Sequence, residues 1–358
     1  MKKQILVSLI LAASMISSAN AADAKKKTAK AAKPAATTMT PAAAAVEATE
    51  VAANTVEASS NTTSAKASDL QKKDEKVAGD IDQEITNAKM RAESGSKSKW
   101  SMNADLTYSG GNLETPFGAQ RPNYSGEASQ QGVTSIAGTV GASYRINPKN
   151  RISMGTGVAI LTPFQSRGED MLKMTEDGGK SDVSTPYITW STAGRIGTVQ
   201  NSLSVSYNHA TSDYDLNTLK NTGAFVMSHT MIFEISGSNW QPGWATTLVN
   251  NLYSDSAAAT DIVGNPDRRS DYSIGLYPFI EYAFNDRYSF RTVFRPFIYS
   301  HMRDDEADTF ERSMYTQSVG LGIAVTRDIY LYPNMQFAPE NLKPELTNVG
   351  LSTIVSLF

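Results

Sequence analysis

Trp100-Ser101-Met102-Asn103-Ala104-Asp105-Leu106-Thr107-Tyr108 alternates, residue by residue, between an apolar side chain and a hydrophilic one. Successive side chains of a strand point to opposite faces, so this period of two describes an extended segment with a different solvent on each side. The pattern returns along the chain. Ile136, Val140, Ala142, Tyr144 and Ile146 oppose Ser135, Thr139, Ser143 and Arg145. Ile152, Met154, Val158 and Ile160 oppose Ser153, Gly155 and Gly157. Phe225, Met227, Met231, Phe233 and Ile235 oppose Ser228, Thr230, Glu234 and Ser236. Tyr272, Ile274, Leu276, Ile280, Tyr282 and Phe284 oppose Ser273, Gly275 and Glu281, and Val319, Leu321, Ile323 and Val325 oppose Ser318, Gly320, Gly322 and Ala324.

Between residues 99 and 358 there are about twelve such segments, each near the roughly 10 residues that a tilted strand needs to cross a bilayer. The weakest runs from Trp244 to Tyr253, where Asn250 and Asn251 blur the phase. The connections alternate strictly between long and short: 110–133 then 147–150, 165–182 then 197–201, 211–222 then 237–242, 255–270 then 285–287, 302–311 then 327–328, and finally 339–346. A soluble sandwich has no reason for that rhythm, whereas a membrane barrel has short periplasmic turns and long external loops. Trp100, Phe164, Phe225, Tyr272, Phe284 and Tyr288 sit near strand ends, as interfacial girdles require. The expected fold is all-β, a transmembrane antiparallel up-and-down β-barrel of about 12 strands, preceded by a disordered tether and a short periplasmic helix.

The last residues, Gly350-Leu351-Ser352-Thr353-Ile354-Val355-Ser356-Leu357-Phe358, resemble the terminal strand of Gram-negative outer-membrane β-barrel proteins, the porin-like class. The resemblance is to a class and to no single family. It implies that Phe358 is read by the outer-membrane assembly machinery. The chain departs from the pattern in one respect, because Val349, Leu351, Val355 and Leu357 share a face and Phe358 falls on the other.

The chain's start fits export. Lys2 and Lys3 precede an apolar run from Ile5 to Ile16, and Ala19-Asn20-Ala21 supplies a small-x-small cleavage pattern, so residues 1–21 read as a signal peptide. Cysteine is absent, which leaves neither a lipid attachment site nor a disulfide framework. A net charge of -3 and a pI near 5.7 argue against nucleic acid as a partner. Past the signal no apolar run is long enough for a membrane helix. The mean hydropathy of -0.32 is no objection to membrane strands, whose two faces average out.

Residues 22–66 are rich in Ala, Lys, Thr and Pro and lack aromatics, so they have little to bury and read as a disordered tether. Peptidoglycan is the partner such a tether could reach. Residues 67–95 read as an amphipathic helix, with Ser68 as cap, Gln71 completing a capping box and Gly95 as stop. Leu70, Val77, Ile81, Ile85 and Ala88 share its apolar stripe, too thin to stand alone, which must pack on another copy in a homo-oligomer, on the barrel, or in its lumen.

In a barrel the chemistry lies in the lumen. Setting Phe284 opposite Tyr288 places Glu281 opposite Arg291 and Tyr277 opposite Arg295. With Arg145 and Arg195 these arginines would make a basic ladder drawing anions through a narrow pore, against the inward carboxylates Asp105 and Glu234. The plainer reading of Glu281–Arg291 is a cross-strand pair in a wet interior, worth roughly 0.2–1 kcal/mol. Of the three histidines, His209 and His229 fall on the lipid-facing phase near outer strand ends, and His301 on the lumen phase beside Asp304, Asp305 and Glu306. No histidine is followed by x-Ser, the arrangement of outer-membrane phospholipases. The acidic loop residues Glu169, Asp170, Glu176, Asp177 and Asp308 lack calcium-loop spacing. No metal, cofactor or catalytic site is therefore expected. The expected function is a porin-like channel for small hydrophilic solutes with mild anion preference, surrounded by outer-membrane lipid and lipopolysaccharide. The alternatives are a structural or adhesive barrel with a closed lumen and, behind it, an outer-membrane hydrolase.

Overall fold

The computed structural model describes residues 80–124, 132–165, 180–212, 214–254, 269–302 and 310–357. The signal peptide, the tether, the helix start at 67–79, the acidic residues at 169–177 and 304–308, and Phe358 lie outside them.

Twelve strands form a closed antiparallel ring. They are β1 (Trp100–Asn112), β2 (Ser135–Arg145), β3 (Asn150–Leu161), β4 (Ser181–Ile196), β5 (Val199–His209), β6 (Asn221–Phe233), β7 (Trp240–Tyr253) and β8 (Ser270–Ala283). β9 has two halves, Tyr288–Arg295 and Phe297–Met302, as does β10, Phe310–Arg312 and Thr316–Thr326. β11 (Ile329–Phe337) and β12 (Asn348–Leu357) complete the order. Each strand pairs with its sequence neighbours, and the ring closes where β1 meets β12, from Met102 opposite Leu357 to Ser109 opposite Gly350. Closure leaves no open edge, which is what a strand structure in hydrocarbon requires, since lipid offers no partner to a free N–H or C=O.

The alternation in the sequence is realised as two faces. Met102, Met154, Ile188, Trp244, Leu321 and Val325 point outward and are exposed, and the strand-end aromatics Trp100, Phe164, Phe225, Tyr272, Phe284 and Tyr288 are exposed with them. The doubtful segment is a full strand of 14 residues, in which Asn251 faces inward and donates to the Ser270 carbonyl at 2.7 Å. The short turns at 146–149, 197–198, 234–239, 284–287 and 327–328 gather at the end where β1 begins and β12 finishes. By the rule of short inner turns, that end is periplasmic.

One irregularity changes which residues face the lumen. Pro296 has no N–H for the ladder and splits β9. Pairing with β8 runs to Phe279 opposite Val293 and resumes at Leu276 opposite Phe297, one residue out of step. Tyr277 and Arg295 lie in that gap. Beyond the bulge the phase inverts, so His301 points outward, not into the lumen as the unbroken alternation implied. Its ring stacks on Tyr272 at 4.9 Å.

Two short helices precede β1, α1 (Ile81–Glu84) and α2 (Ala88–Glu93). The single helix expected across this stretch is broken at Ile85–Asn87. Asp80 caps α1 by accepting from the Asp82 N–H, and Asn87 caps α2 by accepting from the Met90 N–H. Gly95 ends the segment with φ +77, a conformation that favours glycine, while the Arg151 side chain packs against it.

Candidate functional site: the lumen and its inner plug

Both helices lie inside the ring at its periplasmic end. Ile81, Ile85 and Met90 are buried in one cluster with Ala193, Ile232, Ala245, Tyr277, Phe279 and Val293 of the wall. Ala88 and Ala92 pack against Ala324, Tyr330, Tyr332 and Ile354 on the β10–β12 side. Apolar side chains facing a watery lumen would be costly, and they occur where the plug covers them. Fully burying one large apolar side chain contributes ~1.5–3 kcal/mol, which offsets the entropy of ordering the segment.

Polar contacts fix the plug in place. The Gln200 side-chain carbonyl accepts from the N–H groups of Thr86 and Asn87 at 3.0 and 3.2 Å, which explains the helix break. Glu234 accepts from Arg195, Gln200 and the Thr86 hydroxyl at 2.6, 2.6 and 2.8 Å. Arg195 also donates to the Glu84 carbonyl at 2.9 Å. Arg145 donates to the carbonyls of Ser94, Gly95 and Ser96 at 2.8, 2.9 and 2.7 Å. From the β10–β11 turn, Arg327 holds Asp82 at 2.8 Å and the Gly95 carbonyl at 2.7 Å. Lys97 adds contacts to Asp80 and Asp82 at 2.7 and 3.0 Å.

Burial alone would raise the Asp82 carboxyl, but Arg327 and Lys97 outweigh it and hold the group below its ordinary value of 3.8. A depressed carboxylate contributes stability above its unfolded value, and that contribution is lost as pH falls through the lower folded value. Acidification from pH 5 toward pH 3 is therefore expected to loosen the latch and increase open-state fluctuations in bilayer recordings. Asp82→Asn should remove this acid dependence; an unchanged pH profile in that variant would assign the effect elsewhere.

The residues expected to line the pore separate into two groups. Arg145, Arg195 and Glu234 come together, but around the plug. Glu281 and Arg291 face each other across the β8–β9 ladder as the hairpin register required, and both are only 1% exposed. The Arg291 guanidinium lies 4.3 Å from the Phe279 ring centre and 5.9 Å from that of Tyr332. Tyr277 and Arg295 are buried in the same wall, Arg295 donating to the Ser318 hydroxyl at 3.3 Å. Asp105 on β1 lies in the field of Lys89 on α2. Burial pushes the Lys89 ammonium down to about 8, with the Glu93 carboxylate pulling the other way. These arginines therefore do not form one ladder. At the outer end, Arg121 folds in from the first long loop and donates to the Gly110 carbonyl at 2.9 Å and to Gln336 at 2.7 Å. Gln200, Arg327 and Arg121 escaped the sequence reading because their partners are backbone groups or residues brought near by ring closure.

The histidines offer no constellation in the lumen. His209 is exposed at the outer end of β5 beside Tyr207, while His229 lies well down β6, opposite Leu203, and not at the outer end expected of it. Outward-facing His301 has its Nδ1 3.6 Å from Asp271. Among the described residues no group of three or more His, Asp or Glu side chains is placed to hold a metal.

A closed ring of membrane-length strands, oily outside and hydrophilic within, with aromatic belts and short inner turns, defines an outer-membrane β-barrel. The chain matches no protein-family model and no curated protein sequence. Among solved structures it is similar to an outer-membrane channel from Pseudomonas putida F1, at 11% identity and TM-score 0.46 over 74% of this chain and 98% of that one. It is also similar to the NanC porin, at 9% identity and TM-score 0.39 over 72% and 99%, and to Omp33 of Acinetobacter baumannii, at 10% and 0.31 over 72% and 98%. Identities and TM-scores of this size establish no kinship.

Proposed function

We propose that the protein is a passive outer-membrane channel for small hydrophilic solutes, narrowed at its inner end by residues 80–98. The observation that supports this most is the state of the lumen face of β4–β6. There Thr189, Ser191, Ser202, Ser204, Ser206 and Ser228 are hydrophilic and half-buried, in contrast to the fully buried wall of β8–β9. Mild anion preference belongs to the same reading and rests on Arg145, Arg151 and Arg195 near the inner end. The surroundings are outer-membrane lipid and lipopolysaccharide. Insertion by the assembly machinery through the C-terminal strand, reach of the lysine-bearing tether toward peptidoglycan, and homo-oligomer formation complete the proposal.

The plug favours a second reading, a structural or adhesive barrel whose lumen stays shut. Planar-bilayer recording separates the two. Small stepwise currents from the refolded full-length protein, larger for chloride than for potassium, are expected of the channel. Silence from the full-length protein and also from a form lacking residues 22–98 would leave the structural barrel.

A further inference from the structure

The lumen has two unlike halves. On β8–β12 the inward side chains are bulky and closed to solvent, among them Tyr277, Phe279, Arg291, Arg295, Tyr330 and Tyr332. On β4–β6 many are small and carry hydroxyls, and the ladder sets several side by side, with Val226 opposite Ser206 and Tyr187 opposite Asn208 at the patch's edge. Thr189 pairs with Ser206, Ser191 with Ser204, and Ser204 in turn with Ser228. The Thr189 and Ser206 hydroxyls lie 2.7 Å apart. Near its periplasmic end Arg195 is paired with Glu234 at 2.6 Å, with Arg145 and Arg151 close by on β2 and β3.

Both mouths favour the same half. At the outer end, Arg121, Tyr124 and the Pro122 carbonyl bond to Gln336 and Asn348, which covers β11 and β12. At the inner end, a crevice beside the plug is lined by Glu93, Ser94, Arg151, Ser191 and Ser202, and so borders the hydroxyl patch.

We propose that solutes cross along this hydroxyl-bearing half, and that the class it favours is small uncharged polyhydroxyl compounds. This rests on the channel reading and adds the route and the solute class. A hydroxyl both donates and accepts, so the wall can exchange hydrogen bonds with a polyol as water leaves. An ion entering the same stretch sheds hydration and finds no fixed charge to replace it. The inner arginines then choose between ions, while the neutral wall ranks uncharged solutes above both signs.

The native chain has no cysteine, so single Ser→Cys variants of the full-length protein can be read without background. Ser204→Cys, Ser206→Cys and Ser228→Cys test the open half. Ser289→Cys and Ser318→Cys test the packed half, where both serines are 0% exposed. In proteoliposomes a charged thiosulfonate, followed by mass, should label the first set at least about tenfold faster than the second. Labelling of the first set should also cut pentitol-driven swelling by more than about half, and the unlabelled protein should swell faster in pentitol than in gluconate of similar size. Equal labelling of the two sets, or protection of Ser204→Cys, Ser206→Cys and Ser228→Cys, would overturn the route. Equal swelling in pentitol and gluconate would overturn the solute class. Absence of both current and swelling in the native protein would end the channel reading and the solute class with it, while the mass contrast would still decide where water enters.

Discussion

Removal of residues 22–98, with residues 1–21 retained, is expected to raise single-channel conductance several-fold while leaving a folded, heat-modifiable barrel. The first expectation follows from position. α1 and α2 occupy the inner lumen and pack on opposite walls of it, so their removal widens the passage there. The second follows from topology, because β1 begins at Trp100 and every strand of the ring pairs only with strands beyond that point. Deletion would uncover Ile232, Ala245, Phe279, Val293, Ala324 and Ile354 to lumenal water, at roughly 25 cal/mol per Å² of apolar surface exposed. The truncated barrel should thus unfold at lower denaturant concentration than the full chain. Unchanged conductance would show that the plug is not the constriction. Loss of the heat-modifiable band would show that the segment is needed to form the ring.

The barrel was legible in the sequence because hydrocarbon and water impose opposite demands on alternate residues, and a strand such as Trp100–Tyr108 records both. Turn lengths carried the sidedness for the same kind of reason. What could not be read was any consequence of closing the ring. Ile232, Phe279 and Val293 break the polar side of their strands singly, and only closure sets them around Ile85 as a docking site. The apolar stripe of the N-terminal segment was visible, but its division into α1 and α2 depends on Gln200, more than a hundred residues away, offering an acceptor to the Thr86 and Asn87 backbone. Local pattern predicts a continuous helix, and tertiary contact overrides it. The arginines illustrate a similar limit. Arg145 and Arg195 could be placed on the lumen side, but the carbonyls of Ser94–Ser96 that Arg145 grips have no side-chain signature. His301 was misplaced by one bulge, since Pro296 shifts the ladder by a residue and a period of two converts that shift into a change of face.

Glu281→Ala is expected to destabilise the folded barrel by about 3–5 kcal/mol, measured by denaturant or heat unfolding in detergent, the usual cost of leaving one member of a buried ion pair behind. Glu281 and Arg291 are opposed on β8 and β9, equally closed to solvent, in a wall where Phe279 and Tyr332 flank the guanidinium. The aromatic faces attract the cation but cannot replace a carboxylate. Arg291→Met alone should also cost stability, since Glu281 would then be the stranded charge. Combining Glu281→Ala with Arg291→Met should recover much of the loss, because removing both charges removes the desolvation penalty together with the attraction. A loss of only ~0.2–1 kcal/mol for Glu281→Ala would mean that the pair behaves as a solvated cross-strand contact. Water would then reach the β8–β9 wall, the lumen would be wet on both sides, and the packed half would lose its distinction from the hydroxyl-bearing one.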